Sequence, residues 1–304
     1  MPAVEVADLV MRYGDRTAVD GVSFEAEVGE VVTVLGPNGA GKTTTVETLE
    51  GYRRPMEGAV RVLGHDPVAG RRQVVHRIGV MLQEGGVYPG MSPRRALQLF
   101  AAYYRDPVPP LDLVERLGLT AAADTPWRRL SGGEQRRLAM ALALVGRPVV
   151  AFLDEPTAGV DPQGRQAIRT EVRSLRDQGA CVVLTTHELD EAERVADRVV
   201  IIDRGRVVAT GTPTELMRSG GGEEIRFGAP PGLDCTAMSA ALAVAVVEEQ
   251  PGEYRVDARA TPDRVAALTG WLAERDLPLA DLRAGRQRLE DVFLRLTSDQ
   301  DGSA

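Results

Sequence analysis

Apolar and polar positions change their spacing along the chain, and each change predicts a different kind of element. The first third contains two short stretches rich in apolar and β-branched residues, VEVADLVMRYG and VSFEAEVGE. Turn-forming residues lie between them. This pattern predicts strands joined by turns. A further stretch, Val31–Leu35, leads directly into a glycine-rich loop, and a helix is expected to begin at Lys42.

The spacing becomes helical between about residues 84 and 130. The segment SPRRALQLFAAYYR places Ser92 at a capping position and Pro93 at the first helical position, where the missing N–H of proline is not needed. We therefore predict a helical insert at about 84–130.

Strand-like apolar runs return after this insert, at Val149–Leu153, Cys181–Leu184 and Arg198–Ile202. Between them apolar residues recur at helical spacings of four and three, as from Ile168 to Leu175. Strands that alternate with helices predict the α/β class, in which a mostly parallel sheet has helices on both faces.

A domain boundary is predicted at Ser219-Gly220-Gly221-Gly222, because three consecutive glycines suit a linker better than a helix or a strand. The chain then divides into a domain at 1–218, a linker at 219–222 and a small domain at 223–304. The last part contains the strand-like stretches EEIRF and EYRVDA and a helix start at Thr261-Pro262, which predict a small α+β module.

Composition and charge exclude some classes of protein. Lys and Arg number 36 against 44 Asp and Glu, so the net charge of −8 disfavours a protein that grips nucleic acid through its phosphates, and we expect no nucleic-acid partner. The longest apolar runs are shorter than the roughly 20 residues that a spanning helix needs. The two cysteines lack the spacing of metal ligands.

The glycine-rich loop carries the most specific chemistry. Its sequence, G-x-x-x-x-G-K-T from Gly36 to Thr43, lies between a predicted strand and a predicted helix, the context in which such a loop binds a nucleoside triphosphate. Backbone N–H groups would surround phosphate oxygens, Lys42 would reach the outer phosphates, and the Thr43 hydroxyl would bind Mg²⁺. A nucleoside triphosphate such as ATP, together with Mg²⁺, is therefore expected to bind here.

Lys42 is the only lysine in the chain, and every other basic residue is an arginine. A compact ammonium on a flexible stem fits inside a phosphate-binding loop, whereas a planar guanidinium does not. The retention of lysine at this position agrees with a phosphate-binding role.

Two adjacent acids end the predicted strand at Val149–Leu153. Strand alternation points Asp154 and Glu155 in different directions, so that they can take different roles. Asp154 is suited to holding Mg²⁺, and Glu155 to polarising the water that attacks the γ-phosphate.

A second anion-binding element is predicted at Leu130-Ser131-Gly132-Gly133-Glu134. Ser131 and Glu134 have the spacing of a capping box at the start of a helix. Two glycines in the first turn weaken a helix by up to about 1 kcal/mol each, but they leave the backbone N–H groups bare for an anion. The two phosphate-binding elements either face one nucleotide within the chain or each complete a site in another copy.

The loop at 36–43, the segment Leu130–Glu134 and the strand that ends at Glu155 resemble, in this order, an ABC-family nucleotide-binding domain over about residues 3–217. The resemblance implies a P-loop NTPase core with antiparallel N-terminal strands. It also implies an ATPase that works as a head-to-tail homodimer, in which the Ser131 segment of one subunit meets the γ-phosphate held by the other.

Site residues are implied position by position. The resemblance gives Tyr13 as the aromatic that stacks on adenine, Gln83 as a residue linking Mg²⁺ or water to a transport partner, and His187 as a catalytic residue at the γ-phosphate, with Glu155 and Lys42. ATP contacts are then expected at Tyr13, Gly36, Pro37, Asn38, Gly39, Ala40, Gly41, Lys42, Thr43 and Thr44, contacts across the dimer at Ser131, Gly132, Gly133, Glu134 and Asp161, and metal contacts at Thr43, Gln83 and Asp154.

Glu134 is a departure, because the family usually has glutamine at this position. The residue keeps its capping ability but adds negative charge near the incoming phosphate, which is expected to weaken or tune the dimer.

The C-terminal segment Arg288–Thr297 is similar to the ending of type-2 exporter ATPases of the daunorubicin-resistance kind. This resemblance implies an integral membrane permease as partner, a small-molecule substrate such as a drug or antibiotic bound by that permease, and a peripheral position on the cytoplasmic face of the membrane. The alternative is a soluble ABC ATPase that acts on nucleic acid or the ribosome.

Overall fold

A computed structural model describes residues 1–82, 86–219, 224–284 and 289–298. Gln83 and the three glycines of the expected linker lie outside the described residues. The chain divides into two units, Met1–Pro213 and Thr214–Ala304. Among the described residues, no helix is both long enough and apolar enough to span a bilayer.

The first unit contains nine strands among its described residues. They are β1 (Val4–Tyr13), β2 (Arg16–Ala26), β3 (Val31–Leu35), β4 (Glu57–Val62), β5 (Ile78–Met81), β6 (Val150–Asp154), β7 (Cys181–Thr186), β8 (Arg198–Asp203) and β9 (Arg206–Gly211). Its α-helices are α1 (Lys42–Leu49), α2 (Arg71–Val74), α3 (Pro93–Ala101), α4 (Pro110–Arg116), α5 (Gly132–Leu144), α6 (Pro162–Asp177) and α7 (Leu189–Val195).

Six of these strands form the central sheet, in the order β5-β6-β7-β3-β8-β9. The first five run parallel, and β9 pairs antiparallel with β8 at the edge. Every residue of β3, β6 and β7 is buried, as expected for strands covered on both faces. The α/β prediction is confirmed.

The N-terminal strands form a separate antiparallel sheet, in the order β2-β1-β4. One apolar cluster joins this sheet to the central one, since it contains Val6 and Val22 together with Val34 and Phe152. The sheet therefore holds the end of β1, at Tyr13, in a fixed position beside the central sheet.

Helices α3 and α4 and two short 3₁₀ helices, Thr120–Ala122 and Trp127–Arg129, occupy the region where the helical insert was expected. α3 begins at Pro93 as predicted, although the Ser92 side chain makes no capping hydrogen bond. Leu97 and Leu113 pack in the second large apolar cluster, which also contains Leu138 of α5 and Leu184 of β7. This shared core ties the insert to the central sheet.

The second unit contains an α+β fold. After α8 (Pro213–Ser219) come β10 (Ile225–Gly228), α9 (Cys235–Leu242), β11 (Val246–Gln250), β12 (Glu253–Val256), α10 (Pro262–Ala273), β13 (Ala280–Ala284) and α11 (Leu289–Ser298). The sheet order β11-β12-β10-β13, with all neighbours antiparallel, is that of a split βαβ fold. Thr261 caps α10 through its side chain, as the sequence predicts.

The core of this unit lies between the sheet and its helices. Phe227 and Tyr254 stack with ring centroids 5.2 Å apart, and Met238 of α9 and Leu268 of α10 are fully buried beside them. The alternation of buried and exposed residues along β10 and β12 places the apolar side chains on the helix-covered face.

Candidate active site

The carboxyl ends of β3, β6 and β7 meet at one edge of the central sheet, because the three strands are parallel neighbours. β3 is followed by the glycine-rich loop, and α1 begins immediately after that loop. Ligands of open α/β sheets bind outside the carboxyl ends of the strands. The candidate site consists of residues at these strand ends and in the segments that directly follow them.

Glycines give the loop its close packing. A Cβ atom on Gly36 would lie 2.2 Å from the carbonyl oxygen of Ile202, and one on Gly41 would lie 2.4 Å from that of Ala18. Gly41 also has a φ of +105°, in the region that side-chain-bearing residues avoid. The loop is therefore a bare backbone arch over the start of α1, as a phosphate cradle requires.

Lys42 lies inside this arch and is 6% exposed. Its Nζ donates hydrogen bonds to the carbonyl oxygens of Gly36, at 2.7 Å, and Pro37, at 3.2 Å. Burial lowers the pKa of the Lys42 ammonium, while the nearby carboxylates of Glu155 and Asp154 oppose the shift. The Glu155 Oε1 atom is 3.9 Å from Nζ, so the ammonium lies between the loop and the acids of β6.

Asp154 ends β6 with both carboxylate oxygens engaged. Oδ2 accepts a hydrogen bond from Thr43 Oγ1 at 3.3 Å, and Oδ1 accepts one from Thr185 Oγ1 on the neighbouring strand β7. A hydroxyl and a carboxylate at this separation are hard oxygen ligands of the kind Mg²⁺ prefers, with phosphate oxygens completing its shell. The residues present fit a magnesium ion.

The backbone leaves the strand conformation at Glu155. Its φ of +49° lies in the left-handed region, where a residue other than glycine carries strain of order 1–3 kcal/mol. Two groups of Thr185 hold this turn, because the Glu155 N–H faces both Thr185 Oγ1 at 3.0 Å and the Thr185 carbonyl oxygen at 3.2 Å. The side chain reaches His187, whose Nδ1 lies 2.7 Å from Glu155 Oε2.

A pocket of about 430 Å³ opens in front of the loop and Glu155. Tyr13 forms one wall of it and is 41% exposed, which leaves the ring accessible to a planar ligand. The predicted site residues that line it are Tyr13, Asn38, Gly39, Gly41, Lys42, Thr43, Thr44 and Glu155. Gly36, Pro37 and Ala40 belong to the same loop but do not line the pocket.

The Ser131 segment forms a second group of predicted site residues. Ser131 and Glu134 make the predicted capping box, in which Glu134 Oε2 accepts from the Ser131 backbone N–H at 2.7 Å and from Ser131 Oγ at 2.8 Å. A Cβ atom on Gly133 would lie 3.9 Å from Asp161 Oδ2, so the loop that carries Asp161 adjoins the start of α5. Asp161 caps α6 by accepting a hydrogen bond from the Gly164 N–H at 2.9 Å.

The structure therefore divides the predicted site residues between two places. Ser131, Gly132, Gly133, Glu134 and Asp161 are not among the residues that line the pocket at the loop. His187 joins the first group through its contact with Glu155.

Three residues of the site, Thr185, Arg16 and Ala18, are not predicted from the sequence, and only the last two line the pocket. Thr185 orients both acids of β6, and its place at the end of a β-branched run just before His187 was the signal that could have revealed it. Arg16 and Ala18 line the pocket from β2, and Arg16 Nη2 donates to the Gly39 carbonyl oxygen at 3.3 Å. Neither lies in a recognisable motif, because the antiparallel sheet alone brings β2 to the loop.

Comparison with known proteins agrees with this site. The ABC transporter family profile matches residues 19–158. The chain is 38% identical to the daunorubicin resistance ATP-binding protein DrrA3 of Streptomyces coeruleorubidus, over 98% of this chain and 96% of that protein. It is 40% identical to the Nod factor export ATP-binding protein I of Paraburkholderia xenovorans (strain LB400), over 97% of each.

A solved structure of the ATP binding subunit of an ABC transporter aligns with 71% of this chain and 92% of its own, with a TM-score of 0.64 and 28% identity. These relatives indicate the same function as the loop from Gly36 to Thr43 and the two acids at the end of β6. The chain belongs to the ABC transporter family, as an ATP-binding subunit that hydrolyses ATP.

Proposed function

We propose that this subunit powers an exporter of drugs, antibiotics or other small molecules. The observation that carries the proposal is the extent of the similarity: relatives named for daunorubicin resistance and for Nod factor export align with 97–98% of the chain, including the second unit. A match limited to the ATP-binding unit would have supported ATP hydrolysis alone.

The pocket geometry supports a definite placement of ATP. The adenine stacks on Tyr13, the phosphates enter the arch from Gly36 to Thr44, and Lys42 exchanges its carbonyl partners for outer phosphate oxygens. Thr43 and Asp154, with Gln83, would hold Mg²⁺ directly or through water. The ion would supply positive charge that offsets the negative charge of the phosphates during the reaction.

Hydrolysis uses the strained turn at Glu155. Its carboxylate accepts a proton from the attacking water as the new oxygen–phosphorus bond forms and the bond to the β-phosphate oxygen breaks, which releases ADP and phosphate. His187, 2.7 Å from the same carboxylate, fixes its direction and contacts the γ-phosphate. The left-handed backbone aims Glu155 into the pocket rather than along β6.

A second copy of the chain completes the site. The bare N-terminus of α5, at Ser131 to Gly133, is an anion-binding element outside the pocket of its own subunit. In a head-to-tail homodimer this element and Asp161 of one subunit close over the γ-phosphate held by the other. The Glu134 carboxylate, which accepts hydrogen bonds from the N–H and Oγ of Ser131, lies at this contact and tunes the closure.

Closure is coupled to an integral membrane permease, which binds the transported small molecule. The subunit lies peripherally on the cytoplasmic face of the membrane, and the helical insert beside Gln83 contacts the permease. We assign the ATP-binding domain to residues 1–218, the linker to 219–222 and an accessory domain to 223–304. The two units of the structure support a division into two domains, although they divide at Pro213 and so place most of α8 in the second unit.

Co-expression with the membrane protein encoded by the neighbouring reading frame tests the export proposal. Cells that carry both proteins should accumulate less of a fluorescent drug such as daunorubicin, and the Glu155→Gln variant should abolish the difference. Co-purification of the subunit with ribosomes or RNA instead of the membrane protein would contradict the proposal.

A further inference from the structure

The ring of Tyr13 has a cationic partner that the proposed ATP chemistry leaves unexplained. The guanidinium carbon of Arg53 lies 5.1 Å from the centroid of the ring, within the range of a cation–π contact. Tyr13 lines the pocket, whereas Arg53 is not among the residues that do. Arg53 thus contacts the ring without lining the pocket, and Tyr13 itself remains part of the pocket lining.

Arg53 is itself held in place by α1. Its Nε donates to Glu47 Oε2 at 2.5 Å, and Glu47 lies in the same helix that begins with Lys42 and Thr43. Both partners are about one-third exposed, with 39% of the Arg53 side chain and 33% of the Glu47 side chain accessible. A chain of contacts thus runs from the Tyr13 ring through Arg53 and Glu47 to the helix that follows the phosphate-binding loop.

The backbone around Arg53 is fixed to the strand that carries Tyr13. The Met56 N–H donates to the Val10 carbonyl oxygen at 3.0 Å, the Arg12 N–H donates to Met56 Sδ at 3.3 Å, and the Arg12 guanidinium pairs with Glu57 at 3.1 Å. The end of β1 and the segment after α1 are therefore joined by both backbone and side-chain contacts.

We infer that Arg53 is a positioning residue for the adenine base, acting through Tyr13 with Glu47 as its anchor. This inference rests on the proposed stacking of adenine on Tyr13. A cation behind one face of an aromatic ring draws electron density towards itself, which lowers the repulsion between the opposite face and a stacked π-system. The contact also fixes the plane of an otherwise exposed ring, so less freedom is lost when the base binds.

The two parts of ATP are consequently recognised by residues linked to one helix. α1 carries Lys42 and Thr43 for the phosphates at its first turn and Glu47, which anchors Arg53, one turn later. The position of the base platform relative to the phosphate loop then depends on the contact between Glu47 and Arg53.

The test compares two ligands, ATP and inorganic tripolyphosphate, each with Mg²⁺, on the full chain by titration calorimetry. Arg53→Met keeps an apolar stem but removes the cation. We expect it to weaken ATP binding about two- to fivefold, the size of an exposed cation–π contact, and to leave tripolyphosphate binding unchanged. In turnover assays KM for ATP should rise by the same factor with kcat unchanged.

Matched variants separate this role from a general loss of charge or structure. Arg54→Met removes the same charge one residue away and should change neither affinity. Arg53→Lys should recover part of the loss, because lysine restores a cation without the fixed bond to Glu47. In a Tyr13→Ala background Arg53→Met should have no further effect, since the two residues act as one unit.

Three results would overturn the inference: an equal loss for ATP and tripolyphosphate, an undiminished effect of Arg53→Met in the Tyr13→Ala background, or unchanged ATP binding in Arg53→Met. The last result together with weakened ATP binding in Tyr13→Ala would remove only the role of Arg53. Unchanged ATP binding in Tyr13→Ala would remove the stacking proposal itself and the inference with it.

Discussion

Replacing Glu155 with glutamine is the sharpest test of the proposed chemistry, because it changes a carboxylate to an amide of the same shape. The Glu155 backbone N–H keeps its two Thr185 acceptors in the variant, and an amide oxygen can still contact His187. The fold and the strained turn should therefore persist. What is lost is a base next to the position of the attacking water.

The expected loss of rate follows from that single change. A positioned general base contributes about 10²- to 10⁴-fold to a reaction, so kcat should fall by that factor. The affinity for ATP, by contrast, should stay the same or increase. Glu155 Oε1 lies 3.9 Å from Lys42 Nζ, a separation at which two charges interact by about 4 kcal/mol at an effective dielectric constant of 20. Removing the carboxylate frees the ammonium for phosphate and removes its repulsion of the γ-phosphate.

Phosphate release at saturating ATP and Mg²⁺ measures the rate, and size-exclusion chromatography with ATP measures the dimer. We expect near-complete loss of turnover, ATP binding equal to or tighter than that of the wild type, and a stable ATP-bound dimer. Glu188→Gln is the matched control, because it removes a carboxylate next to His187 that pairs with Arg165 instead of facing the pocket. Its turnover should stay close to that of the wild type.

Wild-type turnover in Glu155→Gln would refute the role of this residue as the base. Loss of turnover in both variants would show that the change acts through His187 or the fold rather than through the attacking water.

Further predictions concern the loop, its surroundings and the second anion-binding element. Lys42→Arg should lose ATP affinity although the charge is kept, because a guanidinium does not fit within an arch whose carbonyls lie 2.7 and 3.2 Å from Nζ; unchanged affinity in a titration would contradict the steric argument. Gly41→Ala should lower the free energy of unfolding and abolish ATP binding, since its Cβ would meet Ala18 at 2.4 Å; chemical denaturation and titration measure the two effects. Burial and the nearby Asp154 and Glu47 carboxylates raise the pKa of Glu50 from 4.5 to about 8. Between these two pH values the folded state holds a proton that the unfolded chain releases. The free energy of unfolding therefore decreases as the pH rises from about 4.5 to 8. Glu50→Gln should therefore melt at the same temperature as the wild type at pH 4.5 and at a higher one at pH 8, and equal melting temperatures at both would refute the raised pKa. Ser131→Ala should lower the free energy of unfolding by about 0.5–2 kcal/mol through the lost cap. It should also slow ATP turnover at low protein concentration, where dimers are scarce. If the dependence of turnover on protein concentration is unchanged, Ser131 has no role in the dimer contact.

The sequence predicted most of the strands, the loop and several helix starts because each depends on neighbours along the chain, although Ser92 makes no capping hydrogen bond. Apolar runs identified four of the five parallel strands of the central sheet, all but β5, and Ser131 and Glu134 formed the capping box that their spacing of three requires. Thr261 and Asp161 likewise cap the helices that begin at the following prolines. These features are local, and local rules describe them.

Other features required the tertiary structure. Thr185 orients both acids from a neighbouring strand 31 and 30 residues away, and the contact depends on the parallel register that pairs it with Asp154. The left-handed turn at Glu155 has no sequence signal, because only surrounding hydrogen bonds stabilise that backbone in a residue with a side chain.

By itself, the sequence determined the chemistry of this protein: a loop of glycines around one lysine, two acids after a buried strand and a second bare helix start. Only the tertiary structure decided the geometry. It showed that the Ser131 segment lies outside the pocket, that β2 supplies Arg16 and Ala18 to it, and that Arg53 lies against Tyr13. The reason is physical. Motifs such as the loop and the capping box depend on residues that are close in the sequence, whereas the distances between motifs depend on how the two sheets pack around a shared core.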